Sequence, residues 1–174
     1  MCNNLGRQNL AKKLAKINCK VFAEIGVWKG ETTSTILEKG FLSEYWAVDQ
    51  WRSYIAQQPR MRWTSDFDKW DEYYLDVCKL MLKFPELRII KESSNVASKL
   101  FPIGYFDVIF IDADHAYKSV LDDIANWLPL VKKGGILCGD DWVPGHPGVR
   151  KAVIKSLGID KVKVDKFRMW WYRV

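Results

Sequence analysis

Residues 20–33 read KVFAEIGVWKGETT, and this stretch decides the fold class of the chain. A short apolar run that ends on Gly26 is typical of a buried β-strand, and residues 32–39 predict a helix that ends at Gly40. Glycine directly after a first strand permits a tight turn and lets a ligand approach the backbone amides at a helix start. The spacing Gly26-x-x-x-Gly30 differs from the G-x-G-x-x-G of dinucleotide-binding proteins, so NAD is disfavoured.

Apolar runs of strand length recur along the rest of the chain. Predicted strands two to five are residues 45–49, 87–91, 106–112 and 136–139. The fifth strand follows a predicted turn at Gly134 and Gly135. Between strands four and five lies an amphipathic helix, whose apolar face carries Val120 and Ile124 and whose polar face carries Asp123.

The end of the chain has a different pattern. Residues 161–167 and 169–174 are both strand-like and lie too close together for a crossover helix, so we expect an antiparallel hairpin. Strands separated by helices indicate a parallel sheet covered on both faces. We therefore predict an α/β fold with a doubly wound, mostly parallel seven-stranded sheet and an antiparallel C-terminal hairpin, in one domain spanning residues 1–174. Trp170 and Trp171 of the hairpin fit either the core or a homodimer interface.

Residues 50–85 are long for a connection between two strands. Their first half, which includes Trp51, Tyr54 and Trp63, lacks periodicity and predicts a loop, while the second half predicts a helix with Trp70 on its apolar face. Extended loops at this position often act as lids or binding loops. The segment is therefore either a lid or acceptor-binding insertion, or a set of aromatic side chains packed on the core.

Composition excludes several classes of protein. The chain has no apolar run of the roughly 20 residues that cross a bilayer, and its start lacks a signal-peptide block, so we expect no membrane association. The four cysteines form no C-x-x-C pair, which disfavours disulfides and a zinc site and favours a reduced, cytoplasmic setting. The net charge of +6 is concentrated in residues 1–20 and 148–174. Those basic ends suit either an anionic partner or solvated helix faces.

Acidic and small residues follow the predicted strands. The residues at these ends include Glu24, Asp49, Ser94, Asp112 and Asp140. Ligands of open α/β sheets bind at the carboxyl ends of the strands, near the point where strand order reverses. Asp49 suits a carboxylate that accepts two hydrogen bonds from a ribose diol.

These features resemble the class I S-adenosylmethionine-dependent methyltransferases over roughly residues 18–174. The matching features are the E-x-G-x-x-x-G turn at 24–30, the acidic end of strand two, the run DVIFID at 107–112 and VKKGG at 131–135. The combination of IDADHAY at 111–117 with GDD at 139–141 is similar to the macrocin-type O-methyltransferases and their uncharacterised bacterial relatives.

The resemblance implies a Rossmann-like fold and S-adenosyl-L-methionine as the methyl donor. The cofactor-binding residues that it implies are Glu24, Gly26, Gly30, Asp49, Ser94 and Asp112. The first three would surround the methionine end of the cofactor, Asp49 would bind the ribose, and Ser94 would lie near the adenine.

The same resemblance implies a divalent metal held by Asp112, Asp140 and Asp141. Three neighbouring carboxylates would repel one another without a cation or protonation, and an all-oxygen set suits Mg²⁺, Mn²⁺ or Ca²⁺. His115 would be the general base that works beside Asp112, with capping of the following helix as its alternative role. His146, between a glycine and a proline, predicts only loop structure and receives no role.

The favoured function is O-methylation of a small hydroxylated acceptor of the sugar or natural-product type. Basic ends and abundant aromatic residues leave an RNA or DNA methyltransferase as an alternative. Against it, the loop after strand four lacks the Asn/Asp-Pro-Pro-aromatic motif of amino-group methylation. A non-catalytic cofactor-binding or interaction module is the other alternative.

Overall fold

A single mixed sheet organises the computed structural model, which describes residues 4–52 and 69–174. Its strands within those ranges are β1 (Val21–Ile25), β2 (Glu44–Asp49), β3 (Leu87–Lys91), β4 (Phe106–Ile111), β5 (Val131–Gly139), β6 (Val162–Val164) and β7 (Trp170–Arg173). The spatial order is β3-β2-β1-β4-β5-β7-β6. The first five strands pair in parallel, and β7 pairs antiparallel with both β5 and β6. The predicted seven-stranded sheet with a C-terminal hairpin is confirmed.

Helices connect the parallel strands and cover both faces of the sheet. The described α-helices are α1 (Asn4–Lys16), α2 (Glu31–Leu37), α3 (Trp70–Leu80), α4 (Ser94–Ala97), α5 (Tyr117–Trp127) and α6 (Pro147–Leu157). Among the described residues, no helix combines the length and the apolar character that crossing a membrane requires.

Alternation along β1 separates two hydrophobic clusters. Phe22 points to one face, where it joins Leu10 of α1 and Val77 of α3 in one cluster. Ala23 points to the other face, where it joins Trp127 of α5 in the second cluster. Because successive side chains of a strand face opposite sides, one short strand can support both layers.

The hairpin completes the sheet and is anchored by a carboxylate. Trp170 is buried in the second cluster, so the core, rather than a dimer interface, holds this side chain. Asp165 in the hairpin accepts hydrogen bonds from the side chains of Asn9, Lys13 and Trp171 and from the backbone of Phe167 and Met169. This carboxylate therefore fixes α1 against the end of the chain.

Two sequence predictions need correction. Gly134 and Gly135 lie inside β5 instead of forming a turn before it, because the pairing with β4 shifts register at this point and accommodates the extra residues. Gly134 has a φ of +79°, and a Cβ on Gly135 would lie 2.7 Å from the Asp107 carbonyl oxygen. Asp123, predicted on the polar face of α5, is buried against α4 because its carboxylate accepts a hydrogen bond from Ser94.

Part of the predicted insertion lies outside the described residues. Tyr54 and Trp63 fall in that part, so the prediction of a lid there is untested. Trp51 is buried with 1% of its surface exposed, and its ring packs on Tyr74 of α3. The core interpretation therefore holds for Trp51.

Candidate active site

The strand order reverses between β1 and β4, and the carboxyl ends of these strands meet there. Asp112, the first residue after β4, donates its backbone N–H to the Ile25 carbonyl at 2.8 Å. Gly26 has a φ of +91°, and a Cβ at this position would lie 2.3 Å from the Asp112 carbonyl oxygen. Glycine is therefore required here for two reasons, its left-handed conformation and the close approach of the two loops. This edge is where open α/β sheets bind ligands.

Asp49, at the end of β2, organises the loop that follows β1. Its Oδ2 accepts hydrogen bonds from the backbone N–H groups of Val27 at 2.8 Å and Trp28 at 2.9 Å. Its Oδ1 accepts a third from the backbone N–H of Trp51 at 2.9 Å. A carboxylate offers about four acceptor positions, and donors in the described part of the chain take three of them, which leaves one for an incoming hydroxyl. Sequence reasoning missed this role because backbone donors leave no signature in side-chain patterns.

Glu24 is buried in the sheet beneath that loop. Its Oε2 accepts hydrogen bonds from the Thr33 hydroxyl at 2.5 Å and the Tyr45 hydroxyl at 2.6 Å. Burial raises the pKa of Glu24 to about 7 even though these two hydroxyls favour the charged form. The carboxyl group thus ties α2 to β2 directly behind the Gly26 turn.

Strained backbone is concentrated at this edge. Of the five non-glycine residues with positive φ among the described residues, Trp28, Trp51 and Asp141 follow β1, β2 and β5. The indole N–H of Trp51 donates to the Trp28 carbonyl at 2.8 Å, which locks the two loops together. Such conformations persist only where the surrounding structure enforces them, and they cluster at functional sites.

Three carboxylates meet beyond β4 and β5. Asp112, Asp140 and Asp141 each offer an oxygen, and these atoms all lie within 4.8 Å of one another. Burial raises the pKa of Asp112 well above its ordinary value, and the charges of Asp140 and Asp141 raise it further. Burial likewise raises the pKa of Asp140 to about 6. The structure therefore brings the three predicted ligands together at a spacing where their charges repel one another.

His115 reaches this cluster from the loop after β4. Its Nε2 lies 2.6 Å from Oδ2 of Asp141. Burial opposes ionisation of Asp141, but contact with the His115 imidazole outweighs it and lowers the pKa of this carboxyl to about 2. His115 thus contacts a predicted metal ligand and does not cap α5. The N-cap of α5 is Ala116, and Asp114 just before it accepts hydrogen bonds from the Ala116 backbone N–H and the Ser119 hydroxyl.

His146 also belongs to this site, although its sequence context predicted only loop structure. Its ring centroid lies 4.2 Å from that of His115, and its Nε2 lies 3.9 Å from Oδ1 of Asp141. A Cβ on Gly148 would lie 2.4 Å from the His115 carbonyl oxygen, so the start of α6 presses against the loop after β4. Gly148, two residues after His146, was the available signal, since glycine there permits this close approach.

Ser94 lies at the start of α4, and its hydroxyl is already engaged. It donates to Oδ1 of Asp123 at 2.5 Å and accepts a hydrogen bond from the Trp127 indole at 2.8 Å. Burial raises the pKa of Asp123 to about 6. The hydroxyl of Ser94 therefore links α4 to α5. The contact of Ser94 with adenine stays a prediction.

Comparison with solved structures supports the fold. A protein from Staphylococcus aureus described as a caffeoyl-CoA O-methyltransferase is 13% identical with a TM-score of 0.71, over 99% of this chain and 84% of that one. An O-methyltransferase from Bacillus cereus in complex with S-adenosylhomocysteine is 14% identical with a TM-score of 0.65, over 99% of this chain and 82% of that one. The TDP-rhamnose 3'-O-methyltransferase of calicheamicin biosynthesis is 15% identical with a TM-score of 0.60, over 97% of this chain and 77% of that one. At these identities the likeness shows the fold.

Comparison of sequences supplies the family. No curated protein sequence matches this chain significantly. A protein-family model described as a methyltransferase domain matches residues 23–142, which include the second half of β1, the whole of β2 to β5 and the three clustered carboxylates. The chain therefore belongs to this methyltransferase family, and it is an S-adenosylmethionine-dependent methyltransferase with the class I fold.

Proposed function

We propose that this methyltransferase acts on a hydroxyl oxygen of a small acceptor, of the sugar or natural-product type, with the help of a divalent cation. The observation that carries the proposal is the cluster of Asp112, Asp140 and Asp141 with His115 in contact with it. A carboxylate cluster can hold a hard cation, and an adjacent imidazole can take up a proton.

The donor set fits the ion. Three carboxylate oxygens within 4.8 Å of one another match the all-oxygen coordination that Mg²⁺, Mn²⁺ and Ca²⁺ take in proteins. Burial and mutual repulsion raise the pKa of Asp112, and a bound cation would relieve that repulsion. When bound, the ion supplies positive charge that lowers the pKa of an acceptor hydroxyl and orients it.

The crevice between β1 and β4 fits the methyl donor. S-Adenosylmethionine supplies the methyl group when bound, and its carbon–sulfur bond breaks with the electron pair left on sulfur. We assign its methionine end to the turn around Glu24, Gly26 and Gly30, and its ribose to the remaining acceptor position of Asp49. Because the hydroxyl of Ser94 is engaged, its part at the adenine end is to position α4.

His115 supplies the base in this proposal. Its Nε2 contacts Asp141, and its Nδ1 has no hydrogen-bond partner among the described residues. That nitrogen is suited to accept the proton of the acceptor hydroxyl as the oxygen forms its bond to the methyl carbon. Asp141 stabilises the resulting imidazolium, since the two groups are 2.6 Å apart.

The test is methyl transfer from S-adenosylmethionine to a panel of small hydroxylated acceptors, with a short RNA added as the alternative acceptor. We expect transfer to one hydroxylated class, loss of transfer with EDTA, and recovery when Mg²⁺ is restored. Methyl transfer to the RNA and to none of the small acceptors would reject the proposed acceptor class in favour of RNA. Transfer that EDTA leaves unchanged would remove the cation from the proposal.

A further inference from the structure

The cluster beside β5 contains a second set of ligands that differs in chemistry from the three carboxylates. We infer that His115, Asp141 and His146 form a site for a borderline transition-metal ion such as Zn²⁺ or Co²⁺. Each of the three residues offers one ligand atom, and these atoms all lie within 4.8 Å of one another. The set shares Asp141 with the carboxylate cluster but shares no other residue with it.

The fold holds His146 in place through its backbone. The Val143 N–H donates to the Asp141 carbonyl at 2.7 Å, and the His146 N–H donates to the Val143 carbonyl at 3.1 Å. These two turns return the chain over Asp141 just before α6 begins. The contact between Gly148 and the His115 carbonyl then fixes the separation of the two imidazole rings. Backbone packing therefore places the two histidines side by side, and this placement does not require a bound metal.

The spacing of the ligand atoms suits a small ion. Nitrogen and oxygen ligands lie about 2.0–2.2 Å from Zn²⁺, so neighbouring ligand atoms lie about 3–3.5 Å apart. Nε2 of His115 lies 2.6 Å from Oδ2 of Asp141, slightly closer than that range, and Nε2 of His146 lies 3.9 Å from Oδ1, slightly farther. Small side-chain rotations would bring both into range.

The donor types select the ion. Imidazole nitrogens favour Zn²⁺, Co²⁺ and related ions, whereas carboxylate oxygens favour Mg²⁺, Ca²⁺ and Mn²⁺. Both oxygens of Asp141 face the histidines, Oδ2 at 2.6 Å from His115 and Oδ1 at 3.9 Å from His146, so we expect the two ions to compete for this carboxylate. The consequence for catalysis rests on the proposed function: an ion on Nε2 of His115 takes the place of the contact with Asp141 and lowers the basicity of Nδ1, the proposed base. A borderline metal therefore inhibits methyl transfer.

Binding is tested first, without methyl donor or acceptor. Co²⁺ is titrated into the full chain and followed by its visible absorption and by calorimetry, in wild type and in His146→Gln and Asp112→Asn. We expect wild type and Asp112→Asn to bind Co²⁺ alike. Loss of an outer-shell partner already costs on the order of 10- to 100-fold in metal affinity, so we expect His146→Gln to lose at least that much.

The outcomes separate this inference from the proposed function. Equal Co²⁺ affinity in wild type and His146→Gln, both folded by circular dichroism, would overturn the site, as would no binding to wild type. Zn²⁺ inhibition is then measured in wild type and in His146→Gln, each against its own activity with Mg²⁺, and we expect His146→Gln to be the less sensitive. Co²⁺ binding through His146 in a chain that shows no Mg²⁺-dependent transfer would keep this site and reject the proposed function.

Discussion

Aspartates have different surroundings at the two ends of the strands, which we call the amino edge and the carboxyl edge of the sheet. Strand β4 has one aspartate at each end and shows the difference. Asp107, near its amino end, accepts hydrogen bonds from the backbone N–H groups of Lys20 and Val21 and from the Lys132 ammonium at 2.6 Å. Burial opposes its ionisation, but Lys132 and the backbone donors outweigh this and lower the pKa of Asp107. At the amino edge the protein itself supplies the compensation for the charge.

Asp112, directly after the same strand, has different surroundings. Among the described residues, no lysine or arginine forms an ion pair with Asp112 or with Asp140. Burial and the neighbouring carboxylates raise the pKa of Asp112 instead. The contrast teaches that, within the described residues, no lysine or arginine compensates Asp112 and Asp140 at the carboxyl edge, so a bound cation can supply that charge, whereas Lys132 already supplies it to Asp107 at the amino edge.

The largest expected effect comes from removing charge at each edge in turn. Asp141→Asn should lower methyl transfer by roughly 1,000-fold, since metal coordination contributes several kcal/mol to a transition state. Asp107→Asn, the matched change at the amino edge, should leave transfer unchanged and lower the melting temperature. Steady-state kinetics and thermal melts measure both. Equal loss of transfer in both variants would break the comparison.

The second effect concerns the base. His115→Gln should lower kcat by about 100-fold or more, the usual contribution of general base catalysis, and leave the KM for S-adenosylmethionine unchanged. A pH profile of kcat in wild type and variant checks this, because the limb that reports the base should disappear in the variant. Wild-type turnover by His115→Gln at neutral pH would contradict the assignment.

The third effect tests the packing that brings the two histidines together. Gly148→Ala should destabilise the protein by about 2 kcal/mol, because its Cβ would lie 2.4 Å from the His115 carbonyl oxygen. Gly145→Ala is the control, since a Cβ there would meet nothing within 4 Å. Denaturant unfolding measures both variants. If both variants lost the same free energy of unfolding, the contact between α6 and the loop after β4 would not contribute to stability.

The last prediction is a pH dependence of stability at the carboxyl edge. Burial raises the pKa of Glu24 from 4.5 to about 7, so the folded chain holds a proton that the unfolded chain releases in this range. Its contribution to stability is therefore complete below pH 4.5 and is lost as the pH rises through about 7. We expect the stability of Glu24→Gln to fall less than that of wild type between about pH 5 and pH 8, by denaturant unfolding without ligands. If the stability of both proteins changed with pH in the same way, the prediction that folded Glu24 holds a proton in this range would be wrong.

The fold followed from the sequence where side-chain pattern decides structure. Apolar runs of strand length located all seven strands, and the glycine after the first of them indicated the tight turn at Gly26. Gly134 and Gly135 were misplaced because a register shift between two strands depends on both partners. Asp123 was assigned to the wrong side of its helix because the hydroxyl that holds it inside comes from Ser94, in a different helix.

The site was predicted only in part, for the same physical reason. Asp112, Asp140 and Asp141 follow strands, and the parallel sheet necessarily brings such positions together. His146 follows no strand, and it reaches the cluster through two backbone turns and a glycine contact that sequence patterns do not show. Their roles in binding and catalysis remain predictions that the variants above test.

Calorimetric titration of S-adenosylhomocysteine, the demethylated product, into the folded full chain tests the central claim most directly. If the carboxyl edge is the cofactor site, the wild-type chain and Asp107→Asn should each bind one equivalent with the same affinity, and Asp49→Ala should bind more weakly. No heat of binding to a chain whose circular dichroism shows it folded, or an affinity that Asp107→Asn changes and Asp49→Ala does not, would contradict the claim.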